Sequence, residues 1–302
     1  MSDLNLQKIH DLLIEVAHEA GRMMLSARPS NESSGTKKNT ADLVTETDRA
    51  VEAMVSTRLT SAYPTFSFIG EETYTPGLTL TAAPTFIVDP IDGTTNFVHN
   101  FPAFCISLGL VVAHVPVVGI VYNPCLDELY TAIKGSGAFL TRNSLTQKNS
   151  ADKLKLPHRE PEKLENLSTC LVGAEWGSDR SGSNFALKSQ VFTRLAAAKA
   201  DGGAMVHSIR CLGSAALNLC MVASGQQDVF WEGGCWAWDV AAGWCILLEA
   251  GGMIVGGNPG QWEVAVDGRV YLAIRGGEEE GQKKIVEEFW GVVGEGKLIY
   301  VD

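Results

Sequence analysis

One short segment places two carboxylates where a predicted strand ends. The apolar run 85–88 leads directly into the segment 89–95, which reads DPIDGTT and carries Asp89 and Asp92. The ends of strands are where α/β proteins bind ligands, and paired carboxylates are typical ligands of hard cations. Asp-Pro and Asp-Gly are also ordinary turn pairs, so the segment alone is equally compatible with an acidic turn.

Two further segments carry acids in comparable positions. The segment 66–72 (FSFIGEE) ends a short apolar alternation with two glutamates, and a lone aspartate precedes an apolar helical run near residue 240. The three segments together supply four candidate metal ligands, Glu71, Asp89, Asp92 and Asp239. Because all four are oxygen donors, and no Cys or His stands at metal-ligand spacing, they indicate Mg²⁺, Mn²⁺ or Ca²⁺ rather than zinc. Their wide separation along the chain requires a folded site.

The order of four motifs resembles that of the inositol monophosphatase family. The motifs are DLVTETD at 42–48, GEE at 70–72, DPIDGTTNF at 89–97 and WDVAAG at 238–243. The resemblance extends from about residue 5 to about residue 275. It implies the α+β sugar-phosphatase fold, with alternating helix and sheet layers (αβαβα). In this fold the active site lies between two α+β halves, here 1–145 with most metal ligands and 146–302 with Asp239 and the substrate pocket.

The resemblance also implies a metal-dependent mechanism. Two or three Mg²⁺ ions would be held by Glu71, Asp89, Asp92, Asp239 and the backbone carbonyl of Ile91. Thr94 and Asp48, with Glu71, would then orient and deprotonate the attacking water. A threonine hydroxyl can accept from water while it donates to a carboxylate, so this pair is chemically suited to the task. Thr45 and Asp48 also match a helix capping box, which is a purely local alternative for Asp48.

Substrate contacts follow from the same resemblance. The implied residues are Asp92, Gly93, Thr94, Ser178, Ala215, Glu232 and Asp239. Glu232 would accept hydrogen bonds from ring hydroxyls, although an acid at the rim of the pocket is the simpler interpretation. The family also has a lysine at the position of Lys37, where an exposed loop lysine is the alternative. The segment 233–237 (GGCWA) departs from the usual animal enzymes and lies beside the presumed sugar pocket, so the substrate is less constrained than the chemistry.

Three functions are compatible with these motifs. The first is Mg²⁺-dependent hydrolysis of myo-inositol monophosphates by an enzyme that, as the family implies, is inhibited by lithium and dimeric. The second is a phosphatase for fructose bisphosphate, a nucleotide bisphosphate or histidinol phosphate. The short interval between Glu71 and Asp89 leaves little room for the insertions of nucleotide-directed relatives. The third is a non-catalytic regulatory module of quinate metabolism on the same fold, although every ligand position is intact.

The composition of the chain argues against several classes of binding partner. The chain has 302 residues, which suits about two domains. Its formal charge of −11, without a Lys/Arg cluster longer than a pair, disfavours nucleic acid as a partner. No apolar window suits a signal peptide or a membrane span. Seven scattered cysteines indicate reduced thiols. We therefore expect a cytoplasmic homodimer that acts on a small phosphorylated polyol, with no nucleic-acid or membrane partner.

Hydrophobic periodicity predicts the main elements. Helices are predicted at 3–27, 51–59, 184–198 and 213–224, with a further helix that Asp239 opens and that ends at 251–252. Strands are predicted at 86–88, 104–112, 117–122 and 169–174, and a turn at 135–137 that feeds another strand. The polar segment 143–166 is the predicted connection between the two halves.

Overall fold

Helices and strands alternate along the chain in the computed structural model, which describes residues 4–27, 45–147 and 152–300 and the backbone of residues 35–36 and 43–44. The helices found there are α1 (Leu6–Ser26), α2 (Glu46–Ala62), α3 (Thr94–Val98), α4 (Gly182–Ala196), α5 (Ala215–Ala223), α6 (Ala237–Glu249) and α7 (Glu279–Val293). The strands are β1 (Gly35–Thr36), β2 (Leu43–Val44), β3 (Ser67–Gly70), β4 (Thr85–Asp92), β5 (Cys105–Val112), β6 (Val115–Asn123), β7 (Glu128–Ile133), β8 (Ala138–Arg142), β9 (Asp152–Lys155), β10 (Leu171–Ala174), β11 (Ser208–Arg210), β12 (Val229–Gly233), β13 (Met253–Gly256) and β14 (Val270–Ile274).

The larger sheet has seven strands in the order β3-β4-β5-β6-β7-β8-β9. β3 and β4 are parallel, and every later pair is antiparallel. All eight residues of β4 and of β5 are buried, which explains why these strands are nearly continuous apolar runs. Alternate residues face two different cores: Phe86 and Val88 contact the core under α1 and α2, and Ile87 contacts the core under α5 and α6.

The smaller sheet has five strands in the order β11-β10-β12-β14-β13. β10 is parallel to both of its neighbours, whereas β14 is antiparallel to β12 and β13. Helices α5 and α6 lie between the two sheets, and α4 and α7 cover the outer face of the smaller sheet. Five layers, αβαβα, result, which confirms the fold class expected from the sequence.

Most predicted elements are present, with shifted ends. The helix predicted to open at Asp239 begins at Ala237, so Asp239 lies in its first turn rather than at its start. The segment 143–166, predicted as a connection, contains β9, which is the edge strand of the larger sheet. The division into halves at residue 145 stays a prediction. Within the residues that the structure describes, no helix combines the length and the apolar character needed to cross a membrane.

Candidate active site

Three aspartates from two elements converge at one end of the larger sheet. Asp89 and Asp92 lie in the last four residues of β4, where the pairing with β5 is irregular. Asp239 lies in the first turn of α6. One carboxylate oxygen from each of the three lies within 4.8 Å of the others. Residues 150 positions apart in the sequence therefore share one site, as the acidic motifs predicted.

Glu71 adjoins this group of aspartates. It follows β3, and its backbone N–H donates to the carbonyl of Val88 on the neighbouring strand at 3.1 Å. Its carboxyl group is hydrogen-bonded to that of Asp89. The structure thus brings the four predicted carboxylates together.

Hydrogen bonds from α5 fix the orientation of Asp92. The Ser214 hydroxyl and the backbone N–H of Ala216 each donate to Oδ2 of Asp92 at 2.7 Å, and the N–H of Ala215 also donates to this carboxylate. Asp92 therefore links the end of β4 to the start of α5. Ala215, predicted as a substrate contact, uses its backbone N–H in this link.

Burial and nearby negative charges disfavour the ionised form of the three aspartates when no counterion is bound. Burial raises the pKa of Asp89 well above its usual range, and the adjacent Glu71, Asp92 and Asp239 raise it further. Burial raises the pKa of Asp92 to about 6, although the bonds from Ser214 and α5 oppose this shift. Burial, followed by the charges of Asp92 and Glu71, raises the pKa of Asp239 as well. A divalent cation would remove this repulsion, so the all-carboxylate donor set fits a hard metal ion.

The carboxylate of Asp48 accepts hydrogen bonds from two threonines, Thr45 and Thr94. Its Oδ2 accepts from the backbone N–H of Thr45 at 2.9 Å and from the Thr45 hydroxyl, which completes a capping box at the start of α2. Its Oδ1 lies 3.1 Å from the Thr94 hydroxyl. That hydroxyl also lies 3.1 Å from the carbonyl of Ile91. The capping interpretation and the proximity to Thr94 therefore both hold.

Gly93 allows the chain to turn sharply between β4 and α3. Its φ of 94° is in the left-handed region, and a Cβ built on it would lie 2.8 Å from the carbonyl oxygen of Ala103. Both observations exclude a larger residue without movement of the backbone. Thr94 consequently begins a short helix directly beside the carboxylates.

A cavity of about 440 Å³ opens from Glu71 and Asp239. It is lined by Glu71, Glu72, Tyr74, Ser178, Gly234, Trp236, Trp238 and Asp239. Ser178 thus faces the same cavity as two of the predicted metal ligands. Glu232 lies at the end of β12 with 8% of its surface exposed and does not line the cavity. A larger cavity of about 850 Å³, lined by 157–163 among others, contains none of the predicted site residues.

An aromatic wall, formed by Tyr74, Trp236 and Trp238, bounds one side of this cavity. The two indoles are stacked with centroids 5.1 Å apart, and the Tyr74 ring lies 5.2 and 5.1 Å from them. The guanidinium of Arg269 lies over Trp236 at 3.5 Å. Trp236 also donates its backbone N–H to Oδ2 of Asp239 at 2.6 Å, which joins the wall to the carboxylates.

Sequence reasoning missed several residues of the site. Ser214 had a usable signal, because a serine directly before an apolar helical run is a common N-cap, and its hydroxyl indeed accepts from the N–H of Leu217. Tyr74 and Arg269 had none, since nothing in the sequence relates them to the carboxylates. Lys37, the predicted family lysine, lies outside the described residues.

Comparisons with known proteins agree with this geometry. The sequence model of the Inositol monophosphatase family matches residues 5–293. Inositol monophosphatase 2 of Saccharomyces cerevisiae is 50% identical over 266 residues, 87% of this chain and 86% of that protein. Quinic acid degradation cluster protein x of Neurospora crassa is 38% identical, with 94% and 93% covered. The solved inositol monophosphatase from Anabaena has a TM-score of 0.70 at 28% identity, with 97% and 98% covered.

The five-layered fold and the carboxylate cluster define a metal-dependent phosphatase class. The match over nearly the whole chain then gives the particular family: this chain belongs to the inositol monophosphatase family. The resemblance stated from the sequence is confirmed, and so is the expectation of a phosphoric monoester hydrolase.

The raised pKa values predict how the metal-free protein responds to pH. Asp92 has a pKa of 3.8 in an unfolded chain and about 6 in the folded one. The folded state therefore binds more protons between these values, and the free energy of unfolding falls as the pH rises through them, by about 3 kcal/mol for Asp92. About half of this change falls between pH 5 and pH 7.5, so in EDTA we expect the Tm to be about 3 °C higher at pH 5 than at pH 7.5.

Added Mg²⁺ should reverse this trend, because it binds the ionised carboxylates. The gain in Tm on addition of Mg²⁺ should therefore be larger at pH 7.5 than at pH 5, which differential scanning fluorimetry can measure. A metal-free Tm that rises steadily from pH 5 to pH 7.5 would contradict the pKa shifts.

Proposed function

We propose that this protein hydrolyses myo-inositol monophosphates to inositol and phosphate with Mg²⁺ as its cofactor. One observation carries the proposal: Asp89, Asp92 and Asp239 meet within 4.8 Å, beside the Thr94–Asp48 pair, in a chain of this family. Glu71, Asp89, Asp92, Asp239 and the carbonyl of Ile91 would hold two or three Mg²⁺ ions. Divalent ions at this position neutralise the phosphate oxygens, lower the pKa of water and stabilise the leaving oxygen.

Thr94 and Asp48 act on the attacking water. The Thr94 hydroxyl accepts from the water and donates to Oδ1 of Asp48, 3.1 Å away. As it passes its proton to Asp48 it takes one from the water, so the water becomes hydroxide, the hydroxyl of Thr94 is restored and Asp48 becomes a carboxylic acid. Burial raises the pKa of Asp48 above its usual range, which makes its carboxylate a better base near neutral pH. The capping bonds from Thr45 keep the carboxylate in place during this transfer.

The remaining residues bind the ester. Gly93 permits close approach of the phosphate to the backbone N–H groups of Gly93 and Thr94. Ser178 offers its hydroxyl from the cavity wall. Glu232, which lies two residues before the cavity residue Gly234 and keeps 8% of its surface exposed, accepts hydrogen bonds from ring hydroxyls of the alcohol. The other proposed substrate contacts are Ala215, Asp92 and Asp239.

The family suggests further properties that belong to this proposal. The protein acts as a cytoplasmic homodimer, and lithium inhibits it. Its chain divides into halves at 1–145 and 146–302, with the active site between them. A net charge of −11 supports a small phosphorylated substrate rather than nucleic acid, and metal ions held by the carboxylates would supply positive charge locally for the phosphate.

A substrate panel tests the proposal. Phosphate release should be fastest from myo-inositol 1-phosphate, should require Mg²⁺ and should stop in EDTA. Fructose 1,6-bisphosphate, a nucleoside bisphosphate and histidinol phosphate complete the panel. If any of these three esters were hydrolysed faster, that ester would be the preferred substrate, and the proposed metal-dependent hydrolysis would still hold.

A regulatory role on the same fold is the second candidate. It is favoured by the relative from Neurospora crassa, whose name refers to quinic acid degradation. The intact carboxylates and the Thr94–Asp48 contact argue for catalysis instead. If the folded protein released no phosphate from any of the esters in the presence of Mg²⁺, the regulatory role would be favoured.

A further inference from the structure

A fully buried lysine contacts two loops that contribute Ser178 and Gly234 to the cavity wall. Lys188 is on α4 and only 1% of its surface is exposed, and it shares the buried face of that helix with Leu187, Val191 and Leu195. A hydrophobic residue would be expected in this stripe, because buried lysines are rare unless they are paired. The position therefore needs a chemical explanation, and nothing in the family resemblance or the mechanism supplies one.

The lysine connects two neighbouring strands at their carboxyl ends. Its Nζ donates to the carbonyl of Gly233 at 2.7 Å and to that of Trp176 at 3.2 Å. β10 and β12 are parallel, with Ala174 paired to Trp231, so both carbonyls lie just beyond the same edge of the sheet. One ammonium group thereby ties together the loops that follow these two strands.

Two buried carboxylates explain why a cation is needed there. Continuing the pairing of β10 and β12 by one residue sets Glu175 beside Glu232, and both are at least nine-tenths buried. Glu175 accepts from the backbone N–H groups of Leu212 and Gly213 and from the Asn218 amide. For Oε2 of Glu232, no hydrogen-bond partner lies in the described part of the chain. Burial and the Glu175 charge raise the pKa of Glu232, and Lys188 opposes both.

We propose that Lys188 is a positioning residue for the alcohol half of the substrate. It holds the loop with Ser178 and the loop after Glu232 at a fixed separation, and it compensates the charge of Glu232. This inference rests on the proposed function, in which Ser178 and Glu232 bind the ring hydroxyls. Arg269 holds the next residues of the loop after Glu232, because it donates to the carbonyls of Gly234 at 3.0 Å and Cys235 at 2.8 Å. The residue that follows, Trp236, donates its N–H to Asp239.

Because the Arg269 bonds to Gly234 and Cys235 remain when Lys188 is replaced, a selective kinetic effect is expected. Lys188→Met should raise KM for myo-inositol 1-phosphate about tenfold and change kcat less than about threefold, because ground-state and transition-state contacts to the alcohol are lost together. KM for p-nitrophenyl phosphate, which has no ring hydroxyls, should change less than about twofold. The Mg²⁺ concentration for half-maximal activity should not change. Lys199→Met, at an exposed lysine beyond α4, is the matched control and should behave as wild type.

A double-mutant cycle separates positioning from general structural support. If Lys188 acts through the two loops, Lys188→Met should raise KM less than about twofold in a Ser178→Ala/Glu232→Gln background. A full tenfold effect in that background would overturn the inference, and so would equal effects on both esters. Should Lys188→Met fail to fold, Lys188→Gln keeps an amide donor and gives the same comparison. A wild-type protein that hydrolyses neither ester would overturn the proposed function and this inference with it.

Discussion

Replacing Asp92 with asparagine should lower kcat for inositol monophosphate hydrolysis by about a thousandfold, because the carboxylate cluster loses one of its negative charges. Asp92 shares the cluster with Asp89 and Asp239, and its Oδ2 accepts hydrogen bonds from Ser214 and Ala216 at 2.7 Å each. An asparagine oxygen can still accept these two bonds. The expected loss is therefore of metal binding and transition-state stabilisation rather than of the fold.

Stability should change in the opposite direction from activity. A neutral side chain at position 92 removes one buried charge from a repulsive group, so the Tm in EDTA should stay the same or rise. The increase in Tm that Mg²⁺ produces should shrink at the same time. Phosphate release and scanning fluorimetry, each with and without Mg²⁺, measure both effects.

Asp201→Asn is the matched control for this substitution. Asp201 is exposed after α4, away from the cavity, and its replacement should leave both measurements unchanged. If Asp92→Asn kept more than about a tenth of the wild-type kcat, the carboxylate cluster could not be the centre of the reaction.

Sequence reasoning succeeded where one local pattern determined one local structure. β4 and β5 read as apolar runs because both faces of the larger sheet are covered, and α5 is apolar on all sides because it lies between two sheets. The acidic motifs predicted Asp89, Asp92, Glu71 and Asp239 for the same reason. Each motif is a short segment at the end of β3 or β4 or at the start of α6, and these three ends meet at the site.

The residues that were missed depend on pairing between distant strands. Lys188 reads as one polar residue in a helix, and its role appears only when β10 and β12 are adjacent and bring Glu175 beside Glu232. Arg269 precedes an ordinary strand, and only the pairing of β12 with β14 brings it to Trp236. The order of strands in a sheet is set by tertiary packing, which no local period encodes. Strand β9 was missed for the same reason, because its sequence is polar and only its pairing with β8 makes it a strand.

The Thr94 hydroxyl should be the second large determinant of rate. It is 3.1 Å from Oδ1 of Asp48 and 3.1 Å from the carbonyl of Ile91, so its single proton has two acceptors and its lone pairs remain open to water. Thr94→Val keeps the β-branched shape and removes the hydroxyl. We expect kcat to fall by about a hundredfold, because general-base assistance is lost while the carboxylates stay in place.

Three comparisons make this result specific. Thr94→Ser restores the hydroxyl and should recover most of the activity, and Thr95→Val, at the exposed neighbouring threonine, should have no effect. KM and the Mg²⁺ requirement should be nearly unchanged in Thr94→Val. Since Thr94 and Asp48 act as one unit, adding Asp48→Asn to Thr94→Val should lower kcat by less than about threefold more. Fully multiplicative losses in the double variant would mean that the two residues act on different steps, and the proposed proton path from water to Asp48 would have to be abandoned.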